Sequence, residues 1–125
     1  MYWYCVLIAA ILPYLCAIIA KSQMRLHENH APREHIAKVT GFRARANWAQ
    51  ENGYESFPLF ASAVIAAHVT NVPAEKISLW ACVFVGARVL YSVAYIFDRP
   101  YIRSSVWGIG QFCSAYLLVQ AALQN

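Results

Sequence analysis

Charged residues are scarce in this chain: of its 125 residues, 13% are charged, whereas 60% are hydrophobic. An average soluble domain carries about 25% charged residues, so this balance argues against that class. The chain also lacks linkers and low-complexity segments, and we therefore expect a single domain over residues 1–125. Its composition is typical of a small protein that crosses a membrane several times.

Clusters of metal-ligating residues are lacking as well. The cysteines lie singly in apolar stretches, without the paired spacing of a metal site, and we interpret them as free structural thiols. They are Cys5, Cys16, Cys82 and Cys113. The histidines after the first apolar stretch have no matching cysteine or acidic set, which favours solvated interfacial side chains. They are His27, His30 and His35. We predict no metal.

Four apolar stretches are near or above the length of about 20 residues that a helix needs to cross the hydrocarbon core of a bilayer. The second one has a predicted helical extension, which begins at about residue 36 and projects from the membrane on the cytoplasmic side. The predicted spans are residues 2–20, 57–70, 77–97 and 106–123. The sequence therefore predicts an all-α integral membrane protein.

Basic residues indicate the orientation, because Lys and Arg near span ends stay on the cytoplasmic side. They concentrate in the first and third connections, while the second connection holds only Lys76. Both termini should therefore face away from the cytoplasm. The first span does not resemble a cleaved signal, since Lys21 and Arg25 follow it and no positive charge precedes it. We interpret the net charge of +4 as basic residues that orient the protein in the membrane and attract anionic lipid or ligand. We predict no nucleic-acid binding.

Polar residues continue directly into the second span without a turn. With 100° of rotation per residue, Arg45, Asn52 and Glu55 share one helix face with Trp48. A helix cap is the structural interpretation of this stretch, and a ligand site is the functional one.

The third span carries a second polar face, formed by Arg88, Tyr91, Ser92 and Tyr95. An arginine at the centre of a span costs about 2.5–3.5 kcal/mol on insertion scales, so Arg88 should face the interior and have a partner. In the structural interpretation, that partner is Glu55 or Glu51. In the functional interpretation, these charges surround a polar ligand at the cytoplasmic membrane boundary.

Arg103 and Ser104 lie immediately before the predicted fourth span. One interpretation is an arginine that orients the protein beside a serine that caps the helix. The other is a shared site, because the pair would lie at the same membrane depth as Asn52 and Glu55.

The order of these motifs resembles the MAPEG family, the membrane-associated proteins in eicosanoid and glutathione metabolism, which includes the microsomal glutathione transferases. The first motif consists of Arg45, Ala46, Asn52, Glu55, Pro58 and Phe60. The later motifs are Arg88, Ser92 and Tyr95 in the third span, then the pair Arg103 and Ser104. The likeness covers nearly the whole chain, and its small size and brief loops resemble the bacterial branch.

The resemblance implies an integral membrane four-helix bundle that assembles as a homotrimer in a bacterial inner membrane. Glutathione would bind between subunits near the cytoplasmic side, as a cosubstrate and without a metal. The implied activity is that of a glutathione transferase or peroxidase, in which the thiolate attacks a lipophilic electrophile or a lipid hydroperoxide. Membrane lipids would be further partners.

The resemblance also implies roles for individual residues. Arg103, with help from Ser104, would stabilise the glutathione thiolate and be catalytic. The glutathione-binding residues would be Arg25, Arg45, Asn52, Glu55, Arg88, Tyr91 and Tyr95. Arg25 matches the family pattern with a one-residue gap.

Two alternatives remain open. Trp48 and Ser56 stand where several eicosanoid-pathway members have Arg and Tyr, which favours a noncatalytic lipid-binding or scaffold protein of the same fold. A small multidrug transporter would also have four spans. Such carriers resemble one another in having a Glu in the first span, where this chain has no acidic residue.

Overall fold

The computed structural model describes residues 1–124, and all regular secondary structure in this part of the chain is helical. The predicted all-α class is therefore confirmed. Four helices are long: α1 spans Tyr2–Ala20, α3 spans Gly41–Val69, α4 spans Ala74–Ile96 and α5 spans Pro100–Ala122. Between α1 and α3 lie a 3-10 helix, Leu26–His30, and the short helix α2, Pro32–Lys38.

Helix α3 packs against α1, α4 and α5, and α4 packs most extensively against α5. Short connections make neighbours antiparallel, because the chain reverses direction within a few residues. Asn71 after α3 and Asp98 after α4 have φ angles of 61° and 58°. These left-handed residues let the backbone N–H groups of Val72 and Arg99 bond back into the preceding helix, which closes each helix end.

The centre of the apolar core lies between α3 and α4. Phe60 and Phe84 are almost fully buried, and their rings stack with centroids 3.8 Å apart and planes 5° from parallel. The α5 backbone approaches this stack at Gly110. Ile77 and Leu117 are also fully buried in this core.

Helices α1 and α3 approach closely at Pro13 and Gly53. A Cβ atom on Gly53 would lie 2.7 Å from Cγ of Pro13, a contact that side chains do not tolerate. Pro13 is itself buried, and its ring cannot rotate away. The glycine that interrupts the polar stretch of α3 therefore lets the two helix axes approach.

The extension predicted to run without a break from about residue 36 into the second span is interrupted. Helix α2 ends at Lys38, the backbone of Val39 and Thr40 is extended, and α3 begins at Gly41 with a φ of 67°. β-branched residues favour extended backbone, and glycine tolerates the left-handed conformation. Two helices with a sharp break replace the single extension.

Helix α5 begins at Pro100, six residues before the predicted start of the fourth span. Proline is favoured at the first helical position, because its fixed φ suits a helix and its missing N–H needs no partner there. Arg103 and Ser104 therefore lie within the first two turns of α5. The interpretation of Ser104 as the cap is wrong, since Arg99 occupies the cap position.

In the part of the chain that the structure describes, α1 and α4 are the two helices long and apolar enough to cross a membrane. Helix α1 leaves large apolar side chains exposed along its length, among them Leu7, Ile11 and Ile18. Exposed apolar faces of this size are suited to lipid or to another protein surface.

Candidate functional site

A polar cluster lies where the second half of α4 meets the first half of α3. Arg88 on α4 is 3% exposed, and its Nη1 donates a hydrogen bond of 2.9 Å to Oδ1 of Asn52 on α3. The Nδ2 of Asn52 in turn donates to Oε2 of Glu55 at 3.3 Å. Asn52 thus connects a buried guanidinium to an exposed carboxylate.

The structural interpretation that Arg88 forms an ion pair with Glu55 or Glu51 is wrong. Within residues 1–124, the close contact between a basic and an acidic side chain joins Nδ1 of His35 to Oε1 of Glu28, 3.5 Å apart. Glu51 instead accepts a hydrogen bond of 3.0 Å from Nδ2 of Asn47, one turn away on α3. The amide of Asn52 takes the place that either carboxylate was predicted to hold.

Two tyrosines on α4 support two guanidinium groups. Arg88 lies over the Tyr91 ring with its Cζ atom 4.2 Å from the centroid, and Arg103 of α5 lies over the Tyr95 ring at 4.6 Å. The two rings meet edge to face with centroids 5.6 Å apart. A cation over an aromatic face is stabilised by the ring quadrupole, so the rings hold both arginines in place.

The cluster brings residues of three helices together. The contacts run from Glu55 and Asn52 on α3 through three residues of α4 to one residue of α5, namely Arg88, Tyr91, Tyr95 and Arg103. Six of the predicted site residues therefore share one region of the fold. They are Asn52, Glu55, Arg88, Tyr91, Tyr95 and Arg103.

Arg45 lies beside this cluster and closes the end of α4. Its Nε donates a hydrogen bond of 3.0 Å to the backbone carbonyl of Ile96, the last residue of α4. One turn further along α3, the half-exposed Trp48 ring lies 6.2 Å from the Tyr95 ring, measured between centroids. Arg45 therefore holds the backbone of Ile96, the residue after Tyr95. The position of Arg45 in the motif did not indicate this contact.

Two predicted site residues lie apart from the cluster's contacts. Arg25 is exposed at the start of the 3-10 helix, where its backbone N–H donates to Oε2 of Glu28 at 2.7 Å. Ser104 is exposed on α5 next to Arg103, and its hydroxyl has no hydrogen-bond partner among residues 1–124. A single copy of the chain does not bring either side chain to Arg88 or Asn52.

Two buried serines near the cluster, Ser92 on α4 and Ser56 on α3, bond to the backbone of their own helices. Ser92 donates to the carbonyl of Arg88 at 3.1 Å, and Ser56 donates to the carbonyl of Gly53 at 3.2 Å. Both are buried. Both hydroxyls therefore satisfy carbonyls of their own helices and make no hydrogen bond to the side chains of the cluster.

A second polar network, which the sequence did not indicate, joins the connection between α1 and α3 to the ends of these two helices. Arg43 donates through Nε to the carbonyl of Ala20 at 3.1 Å, and its Nη2 lies 3.0 Å from Nε2 of His35. Nδ1 of His35 lies 3.5 Å from Oε1 of Glu28. His35 is thus a partly buried bridge, and the prediction that it is a solvated side chain is wrong.

The acidic member of this network has a shifted pKa. The backbone N–H of Arg25 lowers the pKa of Glu28 from its ordinary value, and nearby His35, His27 and Arg25 charges act in the same direction. The charged carboxylate is therefore the form that suits the folded connection.

The comparisons with known proteins agree with these motifs. The chain matches the model of the MAPEG family over residues 1–123. No curated protein and no solved structure matches it. The family match covers nearly the whole chain and confirms the resemblance predicted from the motifs. Together with the two apolar helices α1 and α4, it indicates a membrane protein.

Proposed function

Because the chain belongs to the MAPEG family, we propose that it is a glutathione-dependent transferase or peroxidase of the membrane. Membership itself supports a membrane protein related to glutathione or eicosanoid metabolism. The single observation that carries the finer proposal is the cluster of Arg88, Asn52 and Glu55 beside Arg103. It offers cations and a carboxylate at one place on the molecule.

Glutathione has two carboxylates, one ammonium and one thiol, so a complementary site needs cations and an anion. Glu55 is exposed, and its recorded contact is the amide of Asn52, which leaves carboxylate lone pairs for the ammonium. Arg88, Tyr91 and Tyr95 contact or support the other polar groups of the peptide. Arg45 holds the end of α4 beside these residues through its hydrogen bond to the carbonyl of Ile96.

Arg103 stabilises the glutathione thiolate in this proposal. Each unit by which a thiol pKa is lowered needs about 1.36 kcal/mol of preferential stabilisation, and one close, partly desolvated guanidinium can supply one or two units. Its half-buried position over the Tyr95 ring suits that role. Ser104, the next residue on α5, adds a hydroxyl donor to the sulfur.

The reaction begins with attack by that thiolate. In transfer, sulfur forms a bond to an electrophilic carbon, and the leaving group departs with its electron pair. In the peroxidase reaction, the thiolate sulfur attacks the distal oxygen of a lipid hydroperoxide and the O–O bond breaks. The alkoxide leaves with the bonding electron pair and takes up the proton that the glutathione thiol released, which gives the alcohol. A second glutathione then attacks the glutathione sulfenic acid, which gives glutathione disulfide and water.

The assembly is part of the same proposal. Four membrane-spanning helices form a bundle, three bundles form a homotrimer, and the site lies between subunits near the cytoplasmic side, with both termini on the opposite side. A bacterial inner membrane is the proposed location. Arg25, which one chain leaves apart from the cluster, then reaches glutathione held by a neighbouring copy.

A glutathione titration tests the proposal. The ultraviolet absorbance of thiolate at neutral pH should appear when the purified protein is mixed with glutathione, and Arg103→Ala should abolish it. Lys38→Ala is the matched control, since it removes one exposed positive charge from the first connection and should leave the signal unchanged. A wild-type protein that neither binds glutathione nor produces thiolate would refute the proposal.

A noncatalytic lipid-binding protein is the second candidate, and the position of Trp48 favours it. This ring is 49% exposed and lies against Tyr95, so the edge of the cluster is apolar. Lipid that copurifies with the protein under conditions where glutathione does not bind supports this candidate. Steady turnover of a model electrophile in the presence of glutathione excludes it.

A further inference from the structure

Two cysteines meet where α1 packs against α4. The Sγ atoms of Cys5 and Cys82 lie 3.6 Å apart, although the residues are 77 positions apart in the sequence. Both are free thiols in this structure. Because a disulfide joins sulfurs at about 2.0 Å, the two sulfur atoms must come closer by about 1.6 Å to become bonded.

The two thiols differ in exposure. Cys5 is 4% exposed and faces the core, whereas Cys82 is exposed on the surface of α4. The neighbouring surface on α4 is apolar, with Leu79 61% exposed and Val83 38% exposed. An oxidant therefore reaches Cys82 first, and the surface that it crosses selects a lipophilic molecule.

We propose that Cys5 and Cys82 form an oxidisable dithiol whose oxidant is a lipophilic hydroperoxide. The Cys82 sulfur attacks the distal oxygen of the hydroperoxide, the O–O bond breaks, and the alcohol leaves with the thiol proton. The Cys5 sulfur then attacks the Cys82 sulfenic acid, an S–S bond forms, and water leaves with the Cys5 proton. The hydroperoxide gains the two electrons that the thiols lose.

The other cysteines provide an internal comparison. Cys16 is 3% exposed and Cys113 is fully buried, and within residues 1–124 neither has a sulfur neighbour like that of Cys5. A reagent that oxidised thiols without selection would modify all four or follow exposure alone. Oxidation of the buried Cys5 ahead of Cys16 requires the contact with Cys82.

Peptide mapping of the full-length protein in detergent micelles, without glutathione, tests this proposal separately from the proposed function. The protein is treated with cumene hydroperoxide, the remaining thiols are blocked with N-ethylmaleimide, and the peptides are identified by mass spectrometry. We expect a linked peptide that contains Cys5 and Cys82, loss of two of the four thiols, and recovery of both with dithiothreitol. Cys113→Ser should form the same linked peptide.

Single substitutions in the pair trap the intermediate. Cys5→Ser should form no linked peptide and should accumulate a sulfenic acid on Cys82, which dimedone captures. Alkylation of both Cys5 and Cys82 after wild-type treatment overturns the proposal, and so does a linked peptide that joins Cys82 of two chains. Equal oxidation by hydrogen peroxide at the same concentration overturns the assignment to a lipophilic oxidant. The wild-type peptide map decides the question even if a variant does not fold.

Discussion

Arg88 and Asn52 form the hydrogen bond that joins α4 to α3 inside the polar cluster, with Nη1 and Oδ1 2.9 Å apart. The guanidinium is almost completely buried, and its side-chain partner is a neutral amide. This relationship connects stability to the candidate site, because the residue that holds Arg88 also contacts Glu55.

Asn52→Ala should lower the free energy of unfolding by about 1–3 kcal/mol, since it leaves a buried charged donor without its partner. Thermal unfolding in detergent measures the change. Asn47→Ala is the control, because Asn47 bonds to Glu51 on the exposed side of α3. Equal destabilisation by the two substitutions would contradict the role given to the buried contact.

Gly53→Ala should destabilise the protein by about 1–3 kcal/mol, because the added methyl group overlaps the Pro13 ring. Gly86→Ala is a closely matched control in α4, where an added Cβ meets nothing within 4 Å. It should be neutral or stabilising by up to about 1 kcal/mol, as alanine favours a helix over glycine. Both effects can be measured by thermal unfolding, and the idea fails if Gly53→Ala is as stable as the native protein.

Tyr95→Phe and Tyr95→Leu separate the aromatic ring from its hydroxyl. The phenylalanine variant keeps a ring under Arg103 and should retain thiolate formation from saturating glutathione, whereas the leucine variant removes the ring and should lose most of it. Thiolate absorbance as a function of glutathione concentration is the measurement. If both variants lose the signal equally, the hydroxyl and not the ring is the group that matters.

Arg45→Ala should lower the free energy of unfolding by about 1–3 kcal/mol, because it removes a charged donor from the terminal carbonyl of α4. It should also reduce thiolate formation, since the released backbone adjoins Tyr95. Arg33→Ala, at an exposed position in α2, should do neither. An Arg45→Ala protein with native stability and a weakened signal would instead assign Arg45 to direct glutathione binding.

The folded structure of the first connection, which contains the 3-10 helix and α2, should depend on pH through the charge of Glu28. Its folded pKa is lowered by the Arg25 backbone N–H and the nearby cations. Its contribution is therefore complete above the ordinary glutamate range and is lost as the pH falls through the lowered value. Protection factors for amide exchange of residues 26–38, which correct for the intrinsic pH dependence of exchange, should fall over that acid range in the native protein. Glu28→Gln should show low protection factors with a weaker pH dependence, while Glu34→Gln, an exposed neighbour, should behave like the native protein.

The sequence was sufficient to predict the all-α class and which residues of α3 and α4 share a face, but not the break between α2 and α3 or the start of α5. Helical spacing alone placed Asn52 and Glu55 on one face of α3, and Arg88, Tyr91 and Tyr95 on one face of α4. The cost of burying an arginine correctly predicted that Arg88 points inward and has a partner.

The details that depend on side-chain geometry between helices could not be predicted. The sequence offered two carboxylates for Arg88, Glu51 and Glu55, whereas the structure pairs it with the amide of Asn52 between them. The Arg43–Ala20 bond and the Cys5–Cys82 contact join residues that are 23 and 77 positions apart in the sequence and that no periodic pattern relates. The Arg43–His35 contact crosses the break between α2 and α3, which the sequence did not predict. The break at residues 39–40 reflects local backbone preference within a stretch of helical composition.

The stacked rings of Phe60 and Phe84 have a consequence for the surroundings of the buried arginine. Phe84 precedes Arg88 by one helical turn, and Phe60 follows Glu55 by just over one. Since α3 and α4 are antiparallel, both rings lie on the same side of the polar cluster, toward the end of α3 and the start of α4. The pair therefore lies between the buried guanidinium and Ile77, which is two turns before Phe84 on α4. Arg88 has its polar partner on one side and aromatic rings on the other, so a polar substitution at either ring would extend the polar region into the apolar core.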